Sequence, residues 1–83
     1  MTSLEAIAIA LKLNVLARPI LGTTSALGVG EALEVSEDGF LRVDDNGDNS
    51  PFTFTPPDLL AKWEVLTMDH LKEEWRKATE EGW

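Results

Sequence analysis

The sequence predicts an α+β fold: a small, twisted antiparallel sheet with an N-terminal helix, a short helix before the last strand and a C-terminal helix. Three observations carry this. Helix-start signals stand at Thr2, Thr55 and Thr67. Short runs alternating polar with apolar residues lie between them, and Glu37-Asp38-Gly39 separates two of those runs. With 83 residues the chain has room for one core, and a chain of that size buries only about 60–65% of the surface its unfolded form exposes, so a partner subunit would add stability.

Thr2-Ser3-Leu4-Glu5 fits a capping box, the Thr2 hydroxyl serving the Glu5 N–H and the Glu5 side chain returning the bond. Leu4, Ile7, Ala8 and Leu11 follow at i, i+3, i+4, i+7, the expected inner face of a helix ending near Asn14. Ile7, Ile9, Leu11, Leu13 and Val15 also alternate as a strand would; three alanines and the cap decide for helix. The helix is apolar nearly all round, which asks for cover on more than one side.

Val15 to Ile20 reads as a first strand, its pairing limited by Pro19. Residues 22–30, rich in Gly, Thr and Ser, read as a loop. Glu31 to Ser36 and Phe40 to Val43 form a hairpin about Glu37-Asp38-Gly39, where Asp-Gly predicts a type I′ turn. Asp44 to Ser50 is a polar turn and Pro51 to Thr55 a short extended piece. Thr55 is the expected N-cap of a single helical turn, with Pro56 where a missing N–H costs nothing and Asp58 at the positive end of the dipole. Trp63 to Leu66 is the last strand. Thr67 caps a final helix, Met68 to Glu81, with Leu71, Trp75 and Ala78 on one stripe and Gly82 past its end.

Composition narrows the chemistry. The absence of Cys excludes disulfides, thiolate metal sites and Cys nucleophiles, and the single histidine, His70, excludes a multi-His metal site. No nucleophile–base pair or metal set can be assembled, so the expectation is a protein that is not an enzyme and needs no cofactor. The net charge of −8 is uneven. Residues 31–49 hold seven carboxylates against Arg42 alone, whereas residues 1–30 carry Glu5, Lys12 and Arg18. Direct nucleic-acid binding is disfavoured, because it needs clustered Lys and Arg. The first residues lack the basic stretch of a signal peptide, and the apolar run from Ala6 to Leu11 is far shorter than a membrane span, so a cytoplasmic protein with no membrane contact is expected. The stretch Asp44-Asp45-Asn46-Gly47-Asp48-Asn49 fails as a calcium loop: with Gly47 at position six, Arg42 and Thr53 fall where carboxylates are needed. Gly28-x-Gly30 is too short for a dinucleotide fingerprint.

Phe52-Thr53-Phe54-Thr55-Pro56-Pro57-Asp58-Leu59-Leu60-Ala61-Lys62-Trp63-Glu64-Val65 resembles the ending of a family of small phage and prophage proteins, the Thoeris anti-defence 2-like family. The leading helix and the Arg-containing first strand, Leu16-Ala17-Arg18-Pro19, extend the likeness over residues 3–66. This divides the chain into a core, 1–66, and a helical extension, 67–83. Where the family carries a Trp shortly after the strand Arg, this chain has Ile20-Leu21; where it commonly inserts a residue before the last Trp, Lys62 abuts Trp63. The resemblance implies a sponge: a homo-oligomer, dimer or tetramer, that holds a cyclic ADP-ribose-type immune signal intact where subunits meet. Some relatives are put forward as inhibitors of CRISPR-type nucleases, so an acidic protein inhibitor is the alternative.

The ligand-binding candidates are Arg18, Phe52, Thr53, Phe54, Thr55 and Asp58, with Thr53, Thr55 and Asp58 assigned to ribose hydroxyls, and the rings, Arg18 and Asp58 each have a second reading. In a strand, Phe52 and Phe54 share a face, which could stack on an adenine or fill the core. Arg18 could fork onto a phosphate or bridge a neighbouring carboxylate. Asp58 could accept from a ribose hydroxyl or simply complement the helix dipole. Pro56 and Pro57 offer no N–H groups, so a pyrophosphate would fall to Arg18 and the amides of residues 22–30. Trp63 and Trp75 read as core or interface.

Overall fold

A computed structural model of the chain describes residues 1–20, 27, 30–44, 46 and 48–80. In chain order the elements are α1 (Ser3–Leu13), β1 (Leu16–Pro19), β2 (Ala32–Ser36), β3 (Gly39–Val43), β4 (Asn49–Pro51), α2 (Pro56–Leu60), β5 (Trp63–Leu66) and α3 (Met68–Glu80). The strands make one sheet in the order β4-β3-β2-β1-β5, antiparallel at every pairing. The α+β class and the order of elements agree with the sequence reading.

Alternation along each strand sorts side chains onto two faces, and each face is covered by a helix. Ala17, Leu33, Val35 and Trp63 pack with Ala6 and Ala10 of α1; Leu16, Ala32 and Leu66 pack with Leu71 of α3. Leu71 has no exposed surface, so α3 is a third layer of the molecule rather than a loose appendage. It is also tied by its Trp75 indole, which donates to the Gly30 carbonyl at 2.7 Å. Thr67 caps α3 by accepting from the His70 N–H at 3.1 Å.

The α1 capping box forms as expected: Glu5 N–H donates to Thr2 Oγ1 at 3.2 Å, and Thr2 N–H donates to Glu5 Oε1 at 3.0 Å. Asn14 ends the helix in the left-handed conformation, φ 56°, ψ 46°, which an Asn side chain tolerates better than most. The buried face is not the expected one. Ala6 and Ala10 turn to the sheet, with Ile7 partly buried beside them, and buried Ser3 turns to α2, its Oγ donating to Leu59 O at 3.0 Å, while Leu4, Ala8 and Leu11 look outward. Small residues let the helix lie close over Ala17 and Trp63, and that close approach outweighs burial of the leucines.

Three smaller corrections concern the hairpins. Ser36 pairs with Gly39, so the turn residues are Glu37 and Asp38, neither of which has positive φ; the positive value is at Gly39, φ 137°. The turn is therefore not type I′. Pairing Val35 with Phe40 keeps both on the α1 face, and that register fixes the turn one residue earlier than Asp-Gly. The polar stretch 44–50 is shorter than expected because β4 begins at Asn49. Phe52 and Phe54 lie beyond β4, in irregular chain, although Phe52 N–H still donates to Phe40 O at 3.0 Å. Among the described residues no helix is long and apolar enough to cross a membrane.

Candidate functional site

The segment that leaves β4 builds an aromatic wall. Phe54 meets Phe40 edge-on at 4.9 Å between ring centres, meets Phe52 edge-on at 5.3 Å, and stacks on Trp63 at 5.4 Å with 27° between planes. Trp63 is fully buried, and its indole donates to Asp58 O at 2.8 Å, which fixes the backstop of the wall. Phe40, Phe52 and Phe54 remain half-buried, and Thr53 between them is exposed. The core reading of the phenylalanines is the one their packing expresses, and they remain only partly buried.

Thr55 and Asp58 are occupied with each other. The Asp58 carboxylate accepts from Thr55 N–H at 2.8 Å and from Thr55 Oγ1 at 2.6 Å, and Asp58 has no exposed surface. The pair caps α2, so the structural reading of Asp58 is the one its geometry expresses.

Arg18 stands apart from the wall. It lies opposite Glu64 in the β1–β5 pairing, on the face covered by α3. Its Nε donates to Glu64 Oε1 at 2.9 Å, and its two terminal nitrogens fork onto both oxygens of Glu74 in α3. The Glu74 hydrogen bonds raise the Arg18 pKa further above its usual value, and Arg18 in turn holds the Glu74 carboxyl below the usual carboxylate range. Glu74 also faces His70, whose Nε2 is 3.1 Å from Oε1. Carboxylates of this protein hold the guanidinium as a phosphate would. The structure brings Phe52 and Phe54 together around Thr53, but not with Arg18.

Sequence reasoning missed a second cation. Arg42 faces Ser50 across β3–β4, and Phe40 and Phe52 are the next pair along. Residues two apart share a face, so Phe40, Arg42, Ser50 and Phe52 form one patch of rings, guanidinium and hydroxyl. The side chain of Arg42 is 42% exposed, with its Nε 3.4 Å from Glu31 Oε2, a far looser contact than the fork on Arg18. The signal in the sequence was the i, i+2 spacing of Phe40 and Arg42, legible only once β4 is recognised as the neighbour.

The described residues of the acidic stretch bond locally. Asp44 Oδ1 accepts from the backbone N–H of Asn46 at 3.0 Å and of Asp48 at 3.1 Å, which closes a local turn. Among the described residues no cluster of His, Cys, Asp and Glu could hold a metal ion. The amides of residues 22–30 assigned to phosphate lie, except for Leu27 and Gly30, outside the described residues, as do Gly82 and Trp83.

Fold and patch together make a small α/β/α-layered domain with an aromatic wall and an arginine at its rim. No family model, no curated protein and no solved structure matches the chain.

Proposed function

We propose that this chain is a phage or prophage counter-defence protein that sequesters a cyclic nucleotide-derived immune signal of the cyclic ADP-ribose type without cleaving it. The observation that supports the reading best is the partly buried wall of Phe40, Phe52 and Phe54 braced by buried Trp63. A rigid aromatic surface stacks on a base for about 1–3 kcal/mol. Thr53, exposed and between Phe52 and Phe54 in sequence, would meet a ribose hydroxyl, and Arg42, on the same face as Phe40 and Phe52, would offer a phosphate a charged partner. Arg18, the cation expected from the family resemblance, serves only if Glu74 yields it.

The test is to mix the protein with cyclic ADP-ribose isomers, remove free ligand, denature the protein by heat and chromatograph what is released. Intact ligand in the supernatant supports sequestration; the absence of retained ligand, or its release as a cleaved product, overturns it. Phe52→Ala should weaken retention between about fivefold and 150-fold, the equivalent of one lost stacking contact.

A second reading has one observation in its favour: the exposed carboxylates Glu34, Glu37 and Asp38 project from the β2–β3 hairpin, suited to a basic groove on a nucleic-acid-targeting enzyme. Neutralising Glu34, Glu37, Asp44 and Asp45 would abolish such inhibition and leave ligand retention nearly unchanged.

A further inference from the structure

We propose that Glu31 is the positioning residue of the Arg42 patch: it holds one side of the guanidinium and leaves the two terminal nitrogens as an open fork for the phosphate of an aromatic ligand. The inference rests on the reading of that patch as a ligand site. Arg42 differs from the other two arginines of the chain. Both terminal nitrogens of Arg18 are taken by Glu74, and those of Arg76 by Glu73 and Glu80. Arg42 has its Nε 3.4 Å from Glu31 Oε2, and its terminal nitrogens meet no partner among the described residues.

The sheet sets the carboxylate at the side of the guanidinium. Arg42 faces Leu33 across β2–β3, and Glu31, two residues before Leu33, lies diagonally from it on the same face. The backbone around Glu31 is itself held: Gly30 before it accepts the Trp75 indole N–H at 2.7 Å, and Ala32 after it begins β2. A guanidinium grips a phosphate with two parallel N–H groups, either Nε with one terminal nitrogen or the two terminal nitrogens together. Glu31 on Nε closes the first mode and leaves the second. It does not cancel the cation. The contact is long and the side chains of Arg42 and Glu31 are 42% and 23% exposed, conditions under which an ion pair is weak. Phe40 and Phe52 share the face, so a base stacked on a ring has the fork beside it. A ligand without phosphate leaves the fork unused, so the patch distinguishes a nucleotide from its nucleoside. An arginine already held on one side also loses less freedom when the phosphate arrives.

The experiment is equilibrium dialysis of the full chain against adenosine monophosphate and against adenosine, with circular dichroism to verify folding. The wild type should bind the nucleotide more tightly than the nucleoside, and Arg42→Gln should remove that preference. Glu31→Gln and Glu31→Ala remove the same charge, but the Gln amide oxygen can still accept from Nε, so the difference between them reads the positioning contact alone. Glu31→Ala should bind the nucleotide about two- to tenfold more weakly than Glu31→Gln, the cost of immobilising one long side chain. Adenosine should not tell the two apart. Equal nucleotide affinity in the two Glu31 variants, or a wild type that does not prefer the nucleotide, overturns the inference. Cyclic ADP-ribose separates this from the proposed function. Its retention with equal affinity in both Glu31 variants overturns the positioning role alone. Its absence, with the nucleotide preference and the Glu31 difference intact, overturns sequestration alone.

Discussion

The Asp58 carboxylate gathers two donors of Thr55 while its carbonyl receives the Trp63 indole, so one residue joins the cap of α2 to the back of the aromatic wall. Asp58→Ala should destabilise the protein by about 1–2 kcal/mol, the usual cost of losing such a cap, read as a lower urea midpoint with unchanged slope; a midpoint equal to the wild type's would remove the cap from the account. Glu74 gives a pH signature. Arg18 lowers its pKa in the folded state, so its contribution is present above the unfolded value, near 4.3, and is lost as pH falls through the folded value. Glu74→Gln should therefore cost about 1 kcal/mol at pH 7, held down by the 37% exposure of the side chain, and nothing in strong acid. Denaturation of wild type and variant at pH 7 and at stepwise lower pH measures the difference; a gap that does not narrow as pH falls contradicts the role of the ion pair.

Elements were legible to the degree that their signals are local. The capping box predicted the start of α1, Asn14 its end, and Thr67 the start of α3, because each depends on residues within one turn. The inner face of α1 was not legible: its pattern permits several stripes, and the sheet below, through Ala17 and Trp63, chose the alanines. The strand β4 escaped because Asn49 and Ser50 are turn-formers by type and pair only because β3 offers an edge. The arginine fork joins residues 56 apart in sequence, so no local pattern contains it. Arg42 stayed hidden because its patch needs β4 as the neighbour of β3. In α3, Leu71 is the anchor: Leu71→Ala should cost about 3 kcal/mol by leaving a cavity against Leu16 and Leu66. Chemical denaturation measures this, and a loss below about 1 kcal/mol would mean that α3 is not a packed layer.

At the scale of the whole molecule, a net charge of −8 on 83 residues works against compaction through self-repulsion. The thermal midpoint should rise between low salt and physiological ionic strength, where charges more than about 8 Å apart are screened; a midpoint that falls would place the net electrostatic balance with the ion pairs of Arg18 and Arg76 instead. The same charge bears on the proposed function, because an anionic ligand would approach an acidic protein only where rings and a cation outweigh the field. On that proposal the place is the wall of Phe40, Phe52 and Phe54 beside Arg42. Native mass spectrometry of the protein with added cyclic ADP-ribose isomers tests this directly. The prediction is an adduct whose mass equals that of the unaltered ligand and which is lost in Arg42→Ala and Phe52→Ala; a spectrum without any adduct, or an adduct that both variants retain, would contradict it.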